Sequence, residues 1–73
     1  MILLRFLQSL DRRQAVTVFS KISGEPIIAC DVDDLLEGDR EDLLFSPVAN
    51  SFVYDKSLHI YVYLKKEGVK NEQ

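Results

Sequence analysis

Seventy-three residues with 47% hydrophobic and 29% charged side chains have the make-up of one ordinary globular domain, and so short a chain buries only around 60% of the surface its unfolded form exposes, leaving little core to spare for an enclosed active site. One cysteine, Cys30, excludes an internal disulfide, and with His59 the single histidine the chain offers no four-ligand Cys/His zinc set. The net charge of −3 conceals a segregation: Asp31, Asp33, Asp34, Glu37, Asp39, Glu41 and Asp42 stand against Arg40 alone, a local −6 that leaves +3 for the remaining residues.

The N-terminal MILLRFLQSL carries Arg5 inside its apolar run and has no small-residue cleavage site. No stretch approaches the roughly 20 apolar residues that span a bilayer. Together with the lone cysteine, this leads to the expectation of a cytoplasmic protein. Leu3, Phe6, Leu7 and Leu10 recur at helical spacing and predict a helix over residues 2–10. After a polar connection at 11–14, AVTVFSKI alternates, with Val16, Val18 and Ile22 on one side and Ala15, Thr17, Phe19 and Lys21 on the other. SGEP turns the chain into IIAC, so the first hairpin is expected to pair 15–22 with 27–32.

In DVDDLLEGDREDLL, Asp33 is the expected cap of a short helical turn holding Leu35 and Leu36, and Gly38 its end. DLL recurs at 42–44, too close to be a repeat unit. Beyond Pro47, VANSFVY and LHIYVYL predict a second hairpin. A three-residue DKS loop sets Tyr54 opposite Leu58 and Phe52 opposite Ile60, burying Phe52 with Leu58, Ile60, Val62 and Leu64; a two-residue loop instead sets Phe52 opposite His59. The first register is preferred because it collects the apolar side chains on one face. His59, Tyr61 and Tyr63 then line the other face, either as intramolecular packing or as a partner surface. Residues 65–73 are expected to form a loose tail after a compact domain at 1–64.

Motifs that would carry chemistry are incomplete. IIACDVDDLL has the D-x-D of haloacid dehalogenase phosphatases, but Leu35 stands where their threonine would be, and the chain is too short for the rest of such a site. Calcium-loop frames starting at Asp31 or Asp33 lack the required oxygen ligands and glycine. Cys30 and His59 lie in different hairpins, and Gly24, Gly38 and Gly68 stand alone rather than in a phosphate loop. No enzyme and no cofactor is expected.

The order of a start helix, AVTVFSK, a Gly turn, VDDLL and VANSFVYDKSLHIYV, ending in L-x-I-x-V at Leu58, Ile60 and Val62, resembles small proteins encoded by phages, prophages and conjugative elements of Gram-positive bacteria. The resemblance covers residues 1–64 and implies a mobile-element accessory role in the cytoplasm of a bacterial host. The expected fold is α+β, a short N-terminal helix with two antiparallel β-hairpins forming a four-stranded sheet or a small SH3-like barrel. The expected function is non-enzymatic binding of a host or phage protein through the acidic segment. A basic protein is the expected partner, since Arg12 and Arg13 make too thin a cationic patch for nucleic acid. Two other readings stand beside it: self-association, including homodimerisation, through the tyrosine face or a strand edge, and inhibition of a host defence protein by mimicry of nucleic-acid charge.

Overall fold

The structure, a computed structural model, describes residues 1–38 and 40–64; the expected tail at 65–73 and the candidate residue Asp39 lie outside them. The elements are α1 (Leu3–Gln8), β1 (Ala15–Ser20), β2 (Pro26–Asp31), α2 (Val32–Glu37), α3 (Glu41–Leu44), β3 (Val48–Tyr54) and β4 (Ser57–Val62). They make an α+β domain whose four-stranded sheet runs β2-β1-β4-β3. The sheet is open: β2 and β3 are its two edges, and it is not the closed barrel allowed by the sequence. Both expected hairpins form, and they join through β1 and β4, which run parallel with Val16 beside Leu58 and Val18 beside Ile60. The sheet is therefore mixed.

The two central strands show why the alternating segments fold as they do. Val16, Val18 and Ser20 of β1 and Leu58, Ile60 and Val62 of β4 are buried on one face, while intervening residues lie on the other. Leu3 and Leu7 of α1, Val32 and Leu35 of α2, and Leu43 and Leu44 of α3 complete a single core against that face. The helices form one layer and, among the described residues, leave the opposite face of the sheet uncovered.

Several boundaries differ from the sequence expectation. β1 ends at Ser20 rather than at residue 22, because the buried Ser20 hydroxyl accepts hydrogen bonds from the Ile22 and Ser23 N–H groups at 3.2 and 3.1 Å and bends the chain. Ile22 is left exposed. The turn closes through Gly24 at φ 78°. Pro26 opens β2 opposite Phe19, tolerated because β2 is an edge strand. The cap of α2 is Asp31, not Asp33: its carboxylate accepts from the Asp34 N–H at 3.0 Å. Gly38 does end that helix. Both DLL segments lie in helices, one each in α2 and α3, and place Leu35, Leu43 and Leu44 in the core.

The second hairpin takes the two-residue register. Tyr54 pairs with Ser57 and Phe52 with His59, around a turn in which Asp55 and Lys56 both have positive φ, 53° and 67°. That is the turn whose twist matches the right-handed twist of the strands, which a wider DKS loop does not. Phe52 consequently leaves the core face on which the sequence placed it and joins the uncovered face.

Candidate functional site

The uncovered face carries a continuous row of rings. Phe19 on β1 stacks on Tyr61 of β4 with centroids 4.8 Å apart and lies 5.2 Å from His59. On the other side, Phe52 of β3 sits 5.4 Å from His59 and 6.1 Å from Tyr61, and Tyr54 lies 5.7 Å from His59. Lys21 Nζ stands 5.9 Å from the Tyr61 ring centroid, within cation–π range. Strand alternation produces this row: Phe19 is opposite Tyr61 in the parallel pair, and the tight turn sets Phe52 opposite His59. Offset pairs of this kind contribute about 0.5–1.5 kcal/mol each beyond area burial, so the face partly satisfies itself. Even so, Phe52, Tyr54 and Tyr63 remain exposed.

His59 and Tyr61 therefore lie together on one face, with Phe52 and Tyr54 of β3 as their neighbours, while Tyr63 lies just beyond the end of β4. Phe19 was the missed member. Its place beside Tyr61 depends on the parallel pairing of β1 with β4, for which local sequence carries no signal.

Asp33, Asp34, Glu37, Glu41 and Asp42 belong to the helix layer, across the sheet from the rings, and Asp31 stands at the junction of β2 with α2. Asp31 is engaged as the α2 cap. Asp33 Oδ1 accepts from Arg12 Nε at 2.7 Å and contacts Nη2 at 2.6 Å, while the Asp33 N–H donates to the Arg12 carbonyl at 2.8 Å. These contacts tie α2 to the connection after α1. Glu37 lies 3.7 Å from the same guanidinium, and Asp42 lies 3.7 Å from Arg40 Nε. Asp34, Glu37, Glu41 and Asp42 are exposed. The Asp31 carboxylate, by repulsion and by its hydrogen bond, holds the Asp34 carboxyl above the usual range, with desolvation and Asp33 adding to the effect. The acids are thus on one side of the molecule, but part of the run is committed to capping and pairing.

Cys30 lies on the core side of β2, opposite Val16, whereas His59 faces the other way on β4, with β1 between them. Burial, then Asp34 and Asp31, push the Cys30 thiol up, away from the thiolate form. Among the described residues, no three His, Cys, Asp or Glu side chains converge in a group suited to a metal, and no helix is long and apolar enough to cross a membrane.

The fold and its surface define an open-faced α+β domain, with helices on one face of the sheet and aromatic rings on the other. Comparison of the chain with protein-family models, with curated proteins and with solved structures finds no match.

Proposed function

We propose that the protein is a non-enzymatic accessory protein that self-associates through the part of the sheet its helices leave uncovered. The observation that carries this reading is the row Phe19, Tyr61, His59, Phe52 and Tyr54, which reaches the β3 edge with no layer above it among the described residues. Aromatic side chains gathered on a surface are typical of interface cores. The charge distribution agrees: the turns at the two ends of the sheet each bear one cation and one carboxylate, Lys21 with Glu25 and Lys56 with Asp55. The acids of α2 and α3 lie beyond the sheet, so two copies can meet without opposing their strongest charge. Strands of six or seven residues give a sheet about 20 Å long, and four of them a width of about 19 Å, close to 400 Å² in projection. A contact confined to part of so small a sheet falls short of the roughly 800 Å² of accessible surface per partner in a standard interface, which predicts weak, reversible association. The resemblance to phage, prophage and conjugative-element proteins supports an accessory role inside a bacterial host.

Sedimentation velocity across the micromolar range tests the reading. A sedimentation coefficient that rises with concentration is expected; one that stays at the monomer value throughout rejects it.

A second reading follows from the exposed Asp34, Glu37, Glu41 and Asp42 on the helix side: they form an anionic surface for a basic host or phage protein. Its sharpest form is mimicry of nucleic-acid charge toward a defence protein. Because this surface lies across the sheet from the rings, the two contacts are compatible in one molecule.

A further inference from the structure

We propose that β3 is the edge on which a second copy of this chain adds, antiparallel, so that two four-stranded sheets join into one of eight strands. The inference rests on the self-association reading and names its surface.

The two edges of the sheet differ in how far they resist pairing. β2 begins with Pro26, which has no N–H to donate, ends in the charged Asp31, and runs directly into α2, which packs against it. Among the described residues, β3 is covered only at its start, where the Val48 N–H donates to the Met1 carbonyl at 2.8 Å and Ile2 bridges Pro47. Its sequence, VANSFVY, holds no charge and no proline. Phe52, Val53 and Tyr54 are 45, 71 and 65% exposed, although Phe52 and Tyr54 lie on the ring face and Val53 on the other. The bulge between Val48 and Asn50 touches only the start of the strand, so Asn50–Tyr54 keeps an unbroken register with β4 and presents an extended outer edge. An exposed, uncharged apolar edge is a template for another strand.

The chemistry favours a second copy as that strand. A two-fold axis makes the same segment both donor and acceptor, and an uncharged strand opposes no like charges when it pairs with itself. Since α2 packs on β2, at the far edge, joining through β3 leaves the Asp31–Glu37 acids at the outer ends of the eight-stranded sheet, where mutual repulsion is smallest. The joined sheet also doubles the aromatic face, with Phe52 and Tyr54 of each copy meeting at its centre.

The experiment is sedimentation equilibrium on the full chain and on three variants. Ser51→Lys and Val53→Lys place a cation on the β3 edge; Thr17→Lys places one within the ring face on β1, away from that edge. Each edge variant is expected to weaken association at least about tenfold, because a two-fold contact centred on Phe52 sets each new cation diagonally across from its own copy in place of an apolar or small side chain. Thr17→Lys is expected to change it less than about threefold. Filtered NOEs between β3 Cα protons in a mixed-isotope sample of the wild-type chain provide a readout that needs no variant to fold, and their presence is expected. Association abolished by Thr17→Lys, untouched by the edge variants and without those NOEs overturns the edge in favour of face-to-face packing, while self-association stands. A wild-type chain that stays monomeric overturns both.

Discussion

Lys56 adopts φ 67° in the β3–β4 turn, next to Asp55 at 53°. Aspartate tolerates the left-handed region, whereas lysine there is strained by roughly 1–2 kcal/mol, and glycine relieves the strain while giving back about 0.5–1 kcal/mol in chain entropy. Lys56→Gly is therefore expected to stabilise the fold by about 0.5–1 kcal/mol, read as a higher urea midpoint with an unchanged slope; a lower midpoint would contradict this account of the turn. The absence of glycine from DKS is also why the turn was illegible in the sequence. Apolar patterning pointed to the wider loop, but twist matching and the ring contacts of Phe52 with His59 and Tyr61 favour the tighter one. A shift of this kind moves Phe52 from one face of the sheet to the other. One residue's register thus decides the composition of the candidate surface.

At the scale of elements, the helices are too short to stand by themselves. With six, six and four residues they depend on packing and end groups rather than propensity. Asp31 supplies the end group of α2, and Arg12 holds its first turn through Asp33. Asp31→Ala is expected to cost about 1 kcal/mol, while Asp31→Asn, an equally good cap, is expected to cost only a few tenths. Chemical denaturation of both variants checks this, and equal losses would mean that charge rather than capping matters at residue 31. Arg12→Ala should cost less than about 1 kcal/mol, since the pair is solvent-exposed. The hairpins were readable from alternation in AVTVFS and SLHIYV because each central strand buries every second side chain. α3 was not, because four residues give no periodicity to detect and its leucines are recruited by the sheet.

For the whole molecule, the decisive feature is the division of surface by the sheet, with acids on the helix layer and rings on the open side. Self-association through β3 keeps the Asp31–Glu37 acids apart, so its constant is expected to change less than about threefold between 50 and 500 mM salt, a range in which the screening length contracts from about 14 to about 4 Å. Replacing Asp34, Glu37 and Glu41 by Lys is likewise expected to leave sedimentation unchanged while weakening capture of a basic partner and reducing its salt sensitivity. If those replacements alter self-association instead, the acidic layer belongs to the homotypic contact.

The sequence by itself determined the α+β class, the two hairpins, the alternation along β1 and β4 and the clustering of acids, since each follows from local periodicity, turn chemistry or composition. Only the tertiary structure decided that the sheet stays open, that β1 and β4 run side by side in parallel, and that Phe19, Phe52 and Tyr54 join His59 and Tyr61. The physical reason is common to all three: strand neighbours and register are settled by contacts between residues far apart in the chain, and the burial of Val18 against Ile60 counts for more than any local preference.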